Sequence, residues 1–234
     1  MIKLGDWIDL EGGLSVAEYS GAGGFTAANT DLGGAKGYLL RLIVVGINSF
    51  HTVTANDGVD HVVFQFQNMP VLRRMNATDT NPGGYRASEM RKYLTTVEGD
   101  ADSGKFLAGL VAAGVPKSVM WDPVRHVATV WDTGGTTVKD LLWLPTEREM
   151  LGTQSYAGNY EAVGNQARLE YYIEQTKRIK YVSNGTTLAY FLGGARFSGS
   201  NTASFVAVTA DGAKGMSVNA SYAGYGCVPA FCIY

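Results

Sequence analysis

Short apolar runs alternate with Gly- and Asn-rich stretches along most of the chain. Stretches of that kind occupy residues 21–37, 76–84 and 198–204 and separate the apolar segments from one another. Such punctuation favours a loop-rich α+β domain over a bundle of long helices. No internal repeat is visible. The pattern therefore predicts short strands, a few helices and many loops.

The first strand pair is predicted before residue 70. Residues 39–47 are almost entirely apolar, which is typical of a buried strand, whereas residues 61–68 alternate between two faces. The Asn-Asp-Gly sequence at 56–58 lies between the two runs and tolerates a positive φ. Together they predict a hairpin with an extended loop.

Further extended segments follow towards the carboxy terminus. Residues 119–131 predict a strand that is interrupted at its Asp-Pro step. Residues 204–209 and 214–220 flank an Ala-Asp-Gly-Ala turn and predict a second hairpin. Residues 226–234 predict one closing strand.

Three segments outside residues 142–150 predict helices. The first, at 88–96, begins with Ser as its N-cap and places Arg and Lys towards its end, where they complement the helix dipole. The second, at 105–113, is followed by Gly and Pro, which end helices. Residues 165–177 predict a third, short helix.

The sharpest motif is Leu-Trp-Leu-Pro-Thr-Glu-Arg-Glu-Met at residues 142–150. Thr146 and Glu149 have the spacing in which each side chain satisfies the other's orphan backbone donor, so a helix is predicted to begin here. We expect structural roles for Trp143, Pro145 and Thr146, with Trp143 buried. The spacing alone shows only a well-capped helix. As a string, it resembles the Leu-Pro-Thr-Glu-x-Glu-Trp signature of the formylglycine-generating-enzyme-like branch of the C-type lectin fold, with Met in place of the usual Trp.

A second resemblance extends over nearly all 234 residues. The segments that carry it are Leu-Gly-Asp-Trp-Ile-Asp-Leu at 4–10, Ile-Val-Val-Gly-Ile-Asn at 43–48, Phe-Gln-Phe-Gln-Asn at 64–68, Ser-Glu-Met-Arg at 88–91, Asn-Gln-Ala at 165–167 and Val-Pro-Ala-Phe-Cys-Ile at 228–233. Together they resemble a domain of gut-bacterial surface proteins and phage tail proteins that is often encoded beside diversity-generating retroelements. The resemblance implies a single C-type-lectin-like (formylglycine-generating-enzyme-like) α+β domain over residues 1–234. At residues 191–195 the chain departs from the family's Trp-Leu-Arg-Ser-Pro stretch, as either diversification or misalignment would produce.

Length and charge exclude several classes of function. The 234 residues lie at the upper end of a single domain and are enough to bury a core. A formal net charge of -2 gives no electrostatic footprint for nucleic acid or an anionic membrane. No window reaches the roughly 18 to 20 apolar residues of a membrane helix, and the amino terminus lacks the apolar region of a signal peptide. We expect no nucleic-acid partner and no membrane insertion.

The segment from 183 to 234 is almost emptied of charge. Only Arg196, Asp211 and Lys214 are charged there, among many Tyr, Phe, Ser, Gly and Asn residues. That mixture is typical of an adaptable paratope, although a final β-rich segment of a sandwich or barrel would have a similar composition. The resemblance implies adenine mutagenesis of Asn codons, which cannot yield Lys, Glu, Gln, Met or Trp. Only Lys214 and Met216 break that rule in this segment.

The resemblance therefore implies a ligand-binding module whose candidate variable region is 183–234. Inward positions of the late strands, Val206, Val208, Ala230 and Phe231, are expected to form the frame. The outward and loop positions expected to bind ligand are Tyr190, Gly193, Arg196, Phe197, Ser198, Ser200, Asn201, Asn219, Ser221, Tyr222 and Tyr225. In the competing interpretation, Tyr222 and Tyr225 are ordinary packing aromatics.

The setting implied is the receptor-binding tip of a phage tail, with a bacterial cell-surface adhesin as the main alternative. The expected partner is a protein or glycan on a bacterial surface, and a tail fibre would make the chain a trimer. We expect no catalytic residue, no metal and no cofactor. The common hydrolase, nucleotide and zinc-protease motifs are absent from the sequence. Single His residues at 51, 61 and 126 are expected to be structural or on the surface.

Cys227 and Cys232 raise the remote alternative of a formylglycine-generating-type oxidase, whose Cys pair has a comparable separation. Five positions apart in one strand, the two side chains would point to opposite faces, so we predict that they do not bond to each other. They are interpreted as small buried hydrophobes. Oxygen-bearing side chains at 57, 60, 76, 79 and 81 lack the spacing of an EF-hand and are interpreted as turn formers.

Overall fold

The computed structural model describes residues 1–10, 14, 40–127, 136–157, 166–182, 185–196 and 202–234. The strands within them are β1 (Trp7–Leu10), β2 (Leu40–Ile47), β3 (Val62–Phe66), β4 (Val71–Leu72), β5 (Met120–Trp121), β6 (Val124–Val127), β7 (Thr136–Lys139), β8 (Tyr190–Ala195), β9 (Ser204–Val208), β10 (Gly215–Asn219), β11 (Gly226–Cys227) and β12 (Ala230–Ile233). The helices are α1 (Gly84–Ala87), α2 (Glu89–Leu94), α3 (Lys105–Ala112) and α4 (Glu147–Leu151), with 3-10 turns at Thr54–Asn56, Lys117–Val119, Glu170–Ile173 and Gln175–Arg178. The chain is thus of the α+β class, as predicted.

Two five-stranded sheets share one hydrophobic core. The first has the order β1-β2-β3-β12-β5, and the second has the order β10-β9-β8-β11-β4. All pairs are antiparallel except β8 with β11, and β6 pairs with β7 in a separate ribbon. Both predicted hairpins are confirmed, because β2 pairs with β3 and β9 pairs with β10. The frame positions Val206, Val208, Ala230 and Phe231 are buried, as predicted.

The prediction of one closing strand over 226–234 is wrong. The chain leaves the second sheet after β11 and enters the first sheet at β12. Between them the carbonyl of Val228 accepts from the Gln65 side chain at 2.7 Å, and Pro229 has no N–H with which to continue a ladder. Cys227 and Cys232 therefore lie in different sheets, and both are free and buried. The absence of a mutual disulfide is confirmed, although the reason is the change of sheet.

Helices α2 and α3 confirm two of the three helix predictions that lie outside residues 142–150. The Ser88 hydroxyl accepts from the backbone N–H of Arg91 at 3.1 Å, which is the predicted N-cap. The third prediction, at 165–177, is wrong as a continuous helix, and residue 165 lies outside the described residues. Two 3-10 turns meet there at Glu174, which is extended. The Arg178 guanidinium donates to the carbonyl of Tyr172 at 2.6 Å, in place of the backbone N–H that would donate to it in a continuous helix.

The motif at 142–150 forms the capped helix and contains the buried Trp that its sequence predicts. Thr146 and Glu149 form a reciprocal capping box at the start of α4, and Trp143 is fully buried. Trp143 exchanges two backbone hydrogen bonds with Ala230, at 3.0 and 2.8 Å, as an isolated bridge. Glu149 also forms a fully buried ion pair with Arg125 at 2.7 Å. The motif thus joins α4 to the strand β12 of the first sheet.

The described helices do not include one that is long and apolar enough to cross a membrane.

Candidate functional site

Tyr222 is the exposed aromatic of the loop that joins β10 to β11. Its side chain is 50% exposed, and its ring packs edge-on against Tyr225 with a centroid distance of 4.8 Å. Tyr225 is half-buried, because its ring lies 5.8 Å from that of Phe191 and its hydroxyl lies 3.9 Å from the sulfur of Met216. Phe191 and Met216 both pair with Ala207, so they are neighbours on one face of the second sheet. Tyr225 therefore packs between the sheet and Tyr222 and supports the exposed ring.

Asp79 holds the same loop from a distant part of the sequence. Its carboxylate accepts from the Ser221 hydroxyl at 2.6 Å, from the Ser221 N–H at 3.0 Å and from the Asn219 amide at 3.1 Å. These bonds, led by that from the Ser221 hydroxyl, lower the pKa of the Asp79 carboxyl. The backbone N–H groups of Met75 and Asn76 both donate to the carbonyl of residue 220. The loop that carries Tyr222 is thus fixed before any ligand arrives.

Arg196 lies on the other side of strand β10. Its guanidinium donates to the Ser217 hydroxyl at 3.2 Å and lies 6.0 Å from the centroid of the Tyr156 ring. Ser217 is the neighbour of Met216 in the strand, and neighbouring side chains point to opposite faces. The expected ligand-binding residues are therefore divided between two surfaces. We call Asn219, Ser221, Tyr222 and Tyr225 the tyrosine surface.

Two expected ligand-binding residues are wrong as outward positions. Tyr190 is 1% exposed and donates its hydroxyl to the carbonyl of Arg178 at 2.9 Å. Gly193 is buried, and a Cβ added there would lie 2.5 Å from the carbonyl oxygen of Leu144. Both belong to β8, the central strand of its sheet, which is covered on both faces. They belong to the frame and cannot vary freely.

The four expected residues of the preceding loop, Phe197, Ser198, Ser200 and Asn201, lie outside the described residues. Arg196, immediately before them, is therefore the last described residue on that side of β8.

The two cysteines do not provide the setting of a reactive thiolate. Burial raises the pKa of both the Cys227 and the Cys232 thiols. Cys227 contacts the sulfur of Met90 at 3.5 Å. A catalytic thiolate needs a lowered pKa and access to solvent. The geometry supports the interpretation of the pair as small core residues.

The histidines take part in packing and backbone hydrogen bonds. Burial lowers the pKa of His61, whose Nε2 accepts from the N–H of Phe50 and whose Nδ1 contacts the carbonyl of Val59. His51 contacts the same carbonyl at 2.7 Å. Burial also lowers the pKa of His126. In the described part of the chain, no group of three or more His, Cys, Asp or Glu side chains is placed to hold a metal ion.

A polar pocket beside Arg196 was missed by the sequence analysis. Its volume is about 430 Å³, and Tyr156, whose ring Arg196 approaches, is one of its walls. Arg168, Arg178 and Lys214 contribute three cations from segments that are far apart in sequence. No local motif marks them, because only the folded chain brings them together.

Comparison of the chain with protein-family models, with curated proteins and with solved structures finds no match. The fold and these two surfaces define an α+β protein whose late strands form a buried frame and whose connecting loop displays an exposed tyrosine.

Proposed function

We propose that the chain is a ligand-binding module of the C-type-lectin-like fold, displayed at the tip of a phage tail and directed at a protein or glycan on a bacterial surface. The resemblance of residues 142–150 and of the dispersed segments to that family supports the fold. The buried capping box and the mixed α+β architecture agree with it. In a tail fibre the module would be trimeric.

The observation that carries the proposal is the exposed Tyr222 on a loop held in place by Asp79. A rigid aromatic with a hydroxyl gives a large contact area at low entropic cost, and neighbouring Ser and Asn residues supply hydrogen bonds. Because the loop is already ordered, little conformational entropy is lost on binding. Tyr is also among the residues that dominate the binding energy of interfaces.

The fold narrows the region proposed to vary. Within 183–234, the described residues supply β8, β9, β10 and β11 of the second sheet and β12 of the first. Most of these strand positions are buried. Diversification would therefore be confined to Arg196 and the tyrosine surface among the described residues, while the buried strand positions stay constant.

The module acts in this proposal by binding alone, without a cofactor and without catalysis. The buried thiols of Cys227 and Cys232 support that view, since an oxidase of the formylglycine-generating type needs a reactive pair.

Attachment to bacterial cells tests the proposal. The labelled protein is titrated against a panel of bacterial strains, and the Tyr222→Ala variant is compared with Tyr234→Ala. Tyr234 is 69% exposed and follows β12 in the other sheet, so it is a matched control for the loss of an exposed Tyr. We expect Tyr222→Ala to weaken attachment about tenfold or more and Tyr234→Ala to leave it unchanged, because a central Tyr contributes about 2 kcal/mol or more. Equal attachment by both variants would contradict the proposal.

A further inference from the structure

We propose that the polar pocket beside Arg196 binds an oxyanion, such as the carboxylate, sulfate or phosphate of a polar ligand about the size of a monosaccharide. This site is separate from the tyrosine surface and does not depend on the function proposed for it. Its volume of about 430 Å³ falls within the range of about 300–1,000 Å³ that is typical of small-molecule sites.

The charge of the lining favours an anion. Arg168, Arg178 and Lys214 line the pocket, and its other described lining residues are uncharged. The ion pairs found among the described residues involve none of these three cations. Desolvation first, and then the like charge of Arg168, lower the pKa of Arg178. Two cations near each other without a bound carboxylate repel, and an oxyanion between them would remove that repulsion.

Backbone carbonyls orient the Arg178 side chain, which lines the pocket. This side chain is mostly buried, and its Nε and Nη1 donate to the carbonyls of Gly212 and Tyr172 at 2.7 and 2.6 Å. Carbonyls orient a guanidinium but leave its charge in place, unlike a carboxylate. The positive charge is therefore both fixed in position and still available to a ligand.

The hairpin turn between β9 and β10 completes the pocket. Gly212 has a φ of 71° and packs closely against the 3-10 turn at Gln175–Arg178. A Cβ at Gly212 would lie 2.7 Å from the carbonyl oxygen of Gln175. That fit fixes the turn and brings Lys214 to the pocket. Thr153, Ser155 and Tyr156 add hydroxyl groups to the lining. Cations combined with hydroxyl donors suit an oxyanion that is attached to a hydroxylated ligand.

Among the described residues, the carboxylates of Glu147 and Asp211 lie near the pocket and already accept hydrogen bonds from other groups. The buried Glu147 accepts from the backbone N–H groups of Ser155, Tyr156 and residue 157 at 2.8 to 3.1 Å. Asp211 is exposed and accepts from the Thr209 hydroxyl at 2.6 Å and from the N–H of residue 213. The described residues that line the pocket thus contribute three cations and no carboxylate.

Titration calorimetry at constant ionic strength tests the site with sodium sulfate, sodium phosphate and sodium D-glucuronate as probes, and with D-glucose as the uncharged control. The variants are Arg168→Gln and Lys214→Gln. Arg178 is left unchanged, because its guanidinium donates to two backbone carbonyls and its loss could disturb the fold. Lys177→Gln is the matched control, because this exposed lysine lies on the neighbouring turn and does not line the pocket.

We expect saturable binding of at least one anion, a loss of about tenfold or more in each pocket variant and less than a twofold change in Lys177→Gln. Tyr222→Ala should bind the same probe normally, which separates this site from the tyrosine surface. Tighter binding of glucuronate than of sulfate and phosphate would identify an acidic sugar as the ligand class, and the reverse would identify a free oxyanion. The absence of saturable binding by all three anions, or equal binding by the pocket variants and the control, would overturn the proposal.

Discussion

Lys180 is expected to make the stability of the folded protein rise with pH above neutrality. Its ammonium group is buried, donates to the carbonyl of Phe66 at 3.0 Å and lies 3.2 Å from the hydroxyl of Tyr172, which in turn donates to Gln65. These neighbours are uncharged, so desolvation lowers the pKa of Lys180 from 10.5 to about 7. We predict that replacing Lys180 by Met removes the pH dependence that this group causes.

The sign and the size follow from the two pKa values. Because the folded-state pKa is the lower one, the unfolded chain binds more protons between about pH 7 and pH 10.4, and the free energy of unfolding rises with pH across that window. With a folded pKa of about 7, the lysine contributes a rise of about 1.5 kcal/mol between pH 7.0 and 8.5. Buried histidines titrate at lower pH, and exposed cysteines of the unfolded chain titrate equally in wild type and variant. Their effects therefore cancel in the difference.

Urea unfolding followed by tryptophan fluorescence at pH 7.0 and 8.5 measures the effect. The wild type should gain about 1.5 kcal/mol more than Lys180→Met between these pH values. Lys177→Met serves as the control, because this exposed lysine should leave the pH dependence of the wild type unchanged. A wild-type-minus-variant difference that stays constant within about 0.5 kcal/mol would refute the assignment of a neutral buried lysine.

Three other predictions concern the frame. Thr146→Ala should lower the free energy of unfolding by about 1 kcal/mol in chemical denaturation, and unchanged stability would contradict its capping role. The thiols of Cys227 and Cys232 should resist thiol reagents in the folded protein, and both should react in denaturant without a reducing agent. An intact mass that is two hydrogens lower would show a disulfide and contradict the prediction. Gly193→Ala should lower the free energy of unfolding by about 1–3 kcal/mol, because the added Cβ would meet the carbonyl of Leu144. An unchanged melting temperature would argue against this close approach of the two backbone segments.

Local signals were enough to predict much of the fold. The β2–β3 and β9–β10 hairpins, α2, α3 and the capping box at Thr146 depend on alternation, turn residues and caps that lie within a few positions of one another. The segment 226–234 could not be divided from its sequence alone, because its two halves pair in different sheets. Cys227 pairs with Val71 and Cys232 with Val63, and both partners are remote in sequence.

The candidate site was predicted less completely for the same reason. Composition pointed to the segment that contains Tyr222, but the burial of Tyr190 and Gly193 depends on β8 lying in the centre of its sheet. Strand order is set by contacts between distant segments, so composition could not separate frame from surface. Asp79 was interpreted only as a turn former, because its bonds to Ser221 span 142 positions.

Saturation mutagenesis tests the central claim, that a constant frame carries a replaceable recognition surface, most directly. Positions Arg196, Tyr222, Tyr190 and Gly193 are varied on a displayed protein, and each variant is scored for protease resistance and for attachment to a bacterial strain that the wild type binds. We predict that most substitutions at Arg196 and Tyr222 keep protease resistance and that those at Tyr222 lose attachment, while most at Tyr190 and Gly193 lose both. Folded Tyr222 variants that attach as well as the wild type would contradict the claim.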